Sequence, residues 1–261
     1  MLSISFRKAL KNMLPKPITE ALIRLRYSGF TLPNHKVYKT YTSGKNGIEI
    51  GGPSVLFKTT LPLYRTIKTL DGVNFSTHTI WKGSLDRGNN FNYYGYKRGL
   101  QIISEASELT KINSDTYDFV LSSNCLEHVA NPLKALIEWR RIIRPRGALI
   151  LVIPNKRSNF DHKRPATEFG HVLDDMNFNK TEDDLTHLDE ILALHDLSMD
   201  PSAGTLENFR ERSLNNFNNR TLHHHIFDLD LINKMLEYAG FEVIDAKETV
   251  NDFFALAIKR H

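Results

Sequence analysis

The chain has 261 residues, 41% hydrophobic and 25% charged, the proportions of an ordinary folded protein built as one sizeable domain with insertions. No apolar run approaches the roughly 20 residues of a membrane helix, and no secretory h-region precedes a small-residue cleavage site. A single cysteine, Cys125, excludes an intrachain disulfide, so a reducing, cytoplasmic setting is expected.

The net charge of +4 is unevenly spread. Up to Lys45 the sequence holds nine Lys and Arg residues against one acid, Glu20. Phe6, Leu10 and Met13 run between these charges as a thin apolar stripe. Residues 1–45 are therefore expected to form a basic helical cap with solvated lysines; an anionic ligand, or at most peripheral membrane contact, is the alternative. Nothing in the chain has the motif content of a nucleic-acid reader.

Residues 18–27 suit a short helix after Pro17, and residues 28–44 are loop-like. Residues 47–50 form a strand that ends in the turn Gly51-Gly52-Pro53-Ser54. Residues 55–65 are expected to be helical with a distortion at Pro62, and residues 66–75 to form a second strand. Residues 81–99, rich in Gly, Asn and Tyr, are expected to be irregular, with a short strand at 100–103. The clearest unit is residues 117–155. Phe119, Val120 and Leu121 form an apolar run that stops at Ser122, Ser123 and Asn124, as a buried parallel strand does where it opens toward a ligand. Leu133, Leu136 and Ile137 then recur at helical spacing, Arg144-Pro145-Arg146-Gly147 ends the helix, and residues 148–153 form another strand. Residues 156–221 are polar and rich in Asp, Asn, His and Arg. They are expected to form an inserted lid or substrate wall within a domain spanning residues 46–261, with a helix at 181–195. A final helix at 230–239, stopped by Gly240, precedes an antiparallel pair at 241–246 and 253–259.

Strands alternating with helices imply a doubly wound α/β sheet, which binds ligands at the carboxyl ends of its strands. Gly51 and Gly52 permit close backbone approach there. The spacing is not GxGxxG, and Pro53 removes an amide donor that a pyrophosphate would use; a cationic amino-acid cofactor would not need it.

Gly47-Ile48-Glu49-Ile50-Gly51-Gly52-Pro53-Ser54 resembles the first motif of class I S-adenosylmethionine-dependent methyltransferases, of the type 11 kind. Glu105-Ala106-Ser107-Glu108-Leu109 is similar to their acidic adenine loop. Residues 117–155, with Leu126-Glu127-His128 and the Arg-Pro-Arg-Gly turn, closely resemble their fourth and fifth strands, and Gly240-Phe241-Glu242-Val243 the entry to their sixth. The resemblance implies a Rossmann-like, mostly parallel seven-stranded sheet with an antiparallel last strand and a helical insertion. It implies S-adenosylmethionine as cofactor and S-adenosylhomocysteine as product. Glu49 would orient the glycine loop and favour the cofactor's ammonium, and Gly51, Gly52, Pro53 and Ser54 would approach its methionyl part. Asn74, or Asp71 as the alternative acid, would bind ribose. Glu105 and Ala106 would meet adenine, and Ser122, Ser123 and Asn124 would line the methionyl end with His128 beyond them. Asn74 replaces an expected acid, and Pro53 and Ser54 stand where a third glycine is usual.

The histidines of the insertion remain. Asp183, His187 and Glu190 share a helical face, which could be a metal site or a polar substrate wall with a general base. No spacing is a metal signature, so no metal is expected. A hydroxyl acceptor gains from a base, and His224, within His223-His224-His225, is the first choice because that segment returns to the sheet; His162 and His171 follow. The Gly-Gly-Pro-Ser variant and the polar insertion resemble bacterial members linked to cell-surface polysaccharide or capsule synthesis. The resemblance implies O-methylation of a small polar acceptor, phosphorylated or nucleotide-linked. A catalytically inactive cofactor-binding partner protein is the alternative.

Overall fold

The structure is a computed structural model that describes residues 31–260. The stripe Phe6, Leu10, Met13 and the expected helix at 18–27 lie outside the described residues. Within the expected loop at 28–44 a helix forms instead, α1 (His35–Thr42). Tyr38 and Thr42, one turn apart, bury themselves against the sheet while Lys36, Val37 and Thr40 stay exposed.

The sheet has eight strands: β1 (Asn46–Ile50), β2 (Thr69–Asn74), β5 (Gly88–Tyr94), β6 (Lys97–Ile103), β7 (Tyr117–Ser123), β8 (Ile143–Pro154), β9 (Phe241–Glu248) and β10 (Asp252–Lys259). Their spatial order is β5-β6-β2-β1-β7-β8-β10-β9. Strands β6, β2, β1, β7 and β8 run parallel, and β10 is antiparallel to both β8 and β9. This is the Rossmann-like doubly wound sheet with an antiparallel closing strand. The strand beyond the expected seven is β5, an antiparallel edge strand hairpinned to β6. The stretch 81–99 is therefore not irregular: Phe91 and Tyr93 alternate with Asn90 and Asn92, and the two aromatics are buried. Upstream, β3 (His78–Thr79) and β4 (Gly83–Ser84) form a separate small ribbon.

Both faces of the central strands are covered, and the strands are apolar throughout for that reason. In β8, Leu149, Leu151 and Ile153 enter the core on one face, and Ala148, Ile150 and Val152 the core on the other. The first face receives α2 (Pro132–Ile142) through Leu133, Leu136 and Trp139, and α7 (Leu229–Tyr238) through Leu231, Ile232 and Met235. Helix α2 starts where the Asn131 side chain accepts from Lys134 N (3.1 Å), with Pro132 in the first helical position. The second face receives Tyr38, Phe57, Leu61 and Tyr64. The expected helix at 55–65 is only one 3₁₀ turn, Leu56–Lys58, because prolines at 53 and 62 bracket the stretch.

The segment 156–221 holds α3 (Phe169–Asn177), α4 (Leu188–Leu194), α5 (Leu206–Leu214) and α6 (Asn216–Asn219) around a small core of Ile191, Ala203, Phe209 and Leu222. The helix expected at 181–195 begins only at Leu188. Residues 181–187 form turns instead, in which the Asp184 carboxylate accepts from Lys180 Nζ and Thr186 Oγ1, both at 2.6 Å. No helix among the described residues is long and apolar enough to cross a membrane.

Candidate active site

The carboxyl ends of β1, β2, β6, β7 and β8 open into one cleft of about 470 Å³, walled on the far side by the 156–221 segment and the strap that follows it. Five groups of residues build it.

The first is the loop after β1. Gly51 has φ +81°, and a Cβ there would sit 2.9 Å from Cys125 Sγ. A Cβ on Gly52 would lie 2.1 Å from the Glu49 carboxyl carbon. Glu49 itself is fully buried beneath the loop and does not line the cleft. Its carboxylate accepts from Tyr64 Oη (2.5 Å) and Ser54 N (2.9 Å), and burial pushes it up to about 7 despite those bonds. Of the two roles expected of Glu49, its contacts match the orienting of the loop, which it supports from below, while its burial keeps it off the cleft surface where an ammonium would lie. Gly51, Pro53 and Ser54 face the cleft.

The second is the end of β2. Asn74 lines the cleft and donates from Nδ2 to Gly52 O (3.2 Å). Asp71, the alternative ribose acid, is spent on structure: it accepts from Leu100 N and Tyr117 Oη, both at 2.8 Å, and stands clear of the cleft. Third comes the loop after β6, where Ser104, Glu105 and Ala106 line the wall. Helix α2 fixes this loop, since Trp139 Nε1 donates to Ala106 O (2.8 Å) and Lys134 pairs with Glu108 (2.7 Å). Glu105 meets Arg220, whose two terminal nitrogens lie 2.9 and 3.1 Å from its carboxylate oxygens. The Arg220 guanidinium stacks over Phe75 (5.0 Å) and Phe217 (5.3 Å), on a backbone held at φ +56°.

The fourth is the turn after β7. Ser123 and Asn124 line the cleft; Ser122 is buried behind them. Asn124, at φ +49°, bends the chain so that Glu127 and His128 also face inward. Glu127 is 2% exposed, and its Oε2 has no hydrogen-bond partner among the described residues. Burial, opposed by the nearby His223, pushes this carboxyl up to about 7. The Cys125 thiol is pushed up to about 12, by burial first and the Glu127 charge second, so it stays protonated.

The fifth is the far wall. His223 Nδ1 lies 2.5 Å from Asp161 Oδ2, and that buried carboxylate is also 3.3 Å from Arg164 Nη1. Burial pulls His223 down, but the Asp161 charge outweighs it and the imidazole is raised above its ordinary value. The His223 ring packs against His128 (4.6 Å) and Phe160 (4.9 Å). His128 donates through Nδ1–H to Leu222 O (3.0 Å), and burial lowers it well below the usual imidazole range. Trp81, in the turn of the β3–β4 ribbon, covers His128 at 5.1 Å, and Lys82 Nζ holds that ribbon to Pro53 O (2.6 Å).

The profile of the family described as a methyltransferase domain matches residues 23–246. The chain belongs to this methyltransferase family. Solved structures share the fold. A candidate methyltransferase of Bacillus halodurans is 11% identical over 87% of this chain and 98% of that one, with a TM-score of 0.50. A Methanosarcina mazei S-adenosylmethionine-dependent methyltransferase is 16% identical over 88% and 99%, TM-score 0.50. A Haloferax volcanii candidate methyltransferase, seen in complex with the activator Trm112, is 12% identical over 91% and 92%, TM-score 0.52. A 44-residue stretch is 57% identical to an uncharacterized protein of Methanocaldococcus jannaschii, covering 17% of this chain and only 19% of that protein.

S-adenosylmethionine is the cofactor of this methyltransferase family, and the cleft fits it on two observations. The orphaned Glu127 oxygen puts buried negative charge where a cation can meet it, and the cofactor carries a sulfonium and an ammonium. The Gly51 turn leaves no room for a side chain, which brings backbone to the cleft edge.

The three histidines expected to act as base do not line the methyltransferase cleft. His162 Nε2 pairs with Asp196 (2.9 Å) on the outer side. His171 Nε2 lies 2.8 Å from His187 Nε2, in a separate cluster. His224 is buried against Asn216 (3.0 Å) and Glu182 (3.7 Å), and burial, reinforced by His225 and His187, lowers it to about 3. His223, its neighbour, occupies the place. The triple-histidine run marked the segment, but packing alone decides which ring turns inward. Asp161, Arg220 and Phe160 carried no signal of their own in the sequence.

Proposed function

We propose that this protein is an O-methyltransferase acting on a small polar hydroxyl acceptor of the sugar or sugar-phosphate class, with His223 as general base. The His223–Asp161 pair at the cleft wall carries the reading. Bound S-adenosylmethionine would supply an activated methyl group, which an acceptor oxygen displaces in line from sulfur. The protein's tasks are to hold that oxygen in line and to take its proton.

Asn74 and Ser104 would face the ribose end, Ala106 the adenine, and Ser123, Asn124 and Glu127 the methionyl end. His223 would take the acceptor proton on Nε2, because Asp161 occupies Nδ1 and stabilises the imidazolium that forms. Acid–base help of this kind is worth about 10²–10⁴ in rate. Cys125 stays protonated, so the reading needs no covalent intermediate. Asn159, Glu182 and Arg220 give the acceptor side a hydrogen-bonding rather than an apolar wall. That wall supports a hydroxylated acceptor, and the resemblance of the insertion to bacterial polysaccharide-linked members supports a cell-surface polysaccharide precursor.

The test is calorimetry with S-adenosylmethionine, followed by a panel of nucleotide sugars and sugar phosphates with product detection by mass. Cofactor binding and an oxygen-methylated product are expected. Absence of cofactor binding at about 1 mM, a very weak affinity, would overturn the cofactor assignment. A product methylated on nitrogen or carbon would overturn the acceptor class alone.

A further inference from the structure

Away from the cleft, on the opposite side of His224, four metal-ligating side chains converge from three parts of the chain. Two of those parts belong to the insertion and the third is the strap that follows it: His171 and Asp175 stand one turn apart on α3, His187 is the residue before α4, and His225 ends the triple-histidine strap. One ring nitrogen from each of His171, His187 and His225 lies within 4.8 Å of the other two. His171 Nε2 and His187 Nε2 are 2.8 Å apart. Asp175 Oδ2 lies 2.8 Å from His225 Nε2 and 3.4 Å from His171 Nε2.

We propose that His171, His187 and His225, completed by Asp175, form a binding site for one divalent transition-metal ion, zinc, which ties α3, α4 and the strap together.

Hydrogen bonding alone accounts for only part of the cluster. The His171–His187 contact can share one proton, and Asp175 can accept from His225. That leaves His225 Nδ1 buried with no partner among the described residues. It also leaves three rings edge to edge, with centroids 4.7 to 5.7 Å apart. Nitrogens bound to one tetrahedral zinc at about 2.0–2.1 Å are separated by about 3.3 Å. The distances here straddle that spacing, so side-chain rotation can bring the donors onto one ion. Asp175 is nearly buried while His171 is half-exposed, which gives a charged ligand inside and an entry path from outside. The charge of neighbouring Arg164 is matched by Asp161 and Glu190. Three imidazoles with a carboxylate suit zinc better than magnesium or calcium, which prefer all-oxygen sets.

The set in the cleft, Glu127, His128 and His223, also brings its atoms within 4.8 Å, but its rings are already committed to Leu222 O and Asp161 and it belongs to the acceptor site.

The experiment is metal analysis of the full chain as purified, then after chelation and titration with Zn²⁺ and with Co²⁺. One ion per chain is expected, with visible absorption bands of nitrogen-ligated Co²⁺. His187→Ala and His171→Ala should abolish stoichiometric binding. Asp175→Asn removes a charged ligand and should weaken binding by more than the roughly 10–100-fold that an outer supporting carboxylate is worth. His162→Ala, at an exposed pair with Asp196, should bind as the unaltered chain does. Chelation should lower the melting temperature of the unaltered chain and leave that of folded His187→Ala unchanged. The proposal is overturned if folded chain takes up no Zn²⁺ or Co²⁺, or if binding survives in the His171→Ala/His187→Ala double variant. Because metal content is read without cofactor or acceptor, its failure leaves the methyl-transfer reading standing, and the reverse holds as well.

Discussion

Glu127→Gln isolates the energetic cost of the charge at the centre of the cleft. The Glu127 carboxyl is 2% exposed, and burial carries it from an ordinary 4.5 up to about 7. Its folded value therefore lies above its unfolded one. A group raised in this way supports folding fully below about 4.5, and loses that support as pH rises through about 7. Each tenfold change in proton affinity is worth about 1.4 kcal/mol, so the loss amounts to about 3 kcal/mol by pH 8. Glutamine carries no charge at any pH, and titrating groups that do not feel Glu127 cancel in the difference between the two proteins; His223 and Cys125, which do, add to it. The cofactor-free variant should thus be similar to the unaltered protein at pH 5 and more stable by about 3 kcal/mol at pH 8. Urea unfolding of both at pH 5, 6, 7 and 8 gives the comparison. A difference that does not change with pH would refute the buried-charge argument. The same variant should bind S-adenosylmethionine more weakly at pH 8, since the anion that meets the cofactor's positive charge is gone.

The remaining expectations concern the base and the loop. His223→Ala should lower turnover by about 10²–10⁴ while cofactor affinity stays within about threefold; unchanged turnover would move the base elsewhere. In Asp161→Asn, burial acts on His223 with the Glu127 charge left to oppose it, so the acid limb of the pH–rate profile should shift to lower pH and the rate at its plateau should fall; an unmoved limb would deny the coupling. Gly51→Val places a branched side chain at φ +81° against Cys125, and calorimetry should show no cofactor binding in a chain whose circular dichroism still reports the sheet.

The donor half of this protein was legible because its signals are local. The apolar runs of β1, β7 and β8 each end abruptly in polar or glycine residues, and a parallel strand's ligand end has that form. The hairpin of β5 and β6 was not, because Asn and Gly outnumber the two buried aromatics that fix it. The acceptor wall was least legible. His223, His224 and His225 are identical letters with three destinations: the cleft, the contact with Asn216 and Glu182, and the cluster with Asp175. Those destinations are set by Asp161, Asn216 and Asp175, which lie 62, 8 and 50 residues away in the chain. Glu49 and Asp71 show the same limit: their chemistry fits a cofactor, but tertiary contacts with Tyr64 and Tyr117 claim them.

Arg220 is one of the residues that tie the insertion to the sheet. Its guanidinium spans from Phe217 to Phe75 and closes on Glu105, whose side chain is 39% exposed at the rim. Dissolved ions reach a pair so placed and weaken it, whereas they do not reach Glu127 deep in the cleft. If the spent cofactor leaves past Glu105, this pair must open first, an ionic latch on departure that the transfer step does not share. Raising the ionic strength should speed the exchange of one cofactor for the next and leave a single turnover untouched, and where exchange is the slow step, this methyltransferase runs faster in salt.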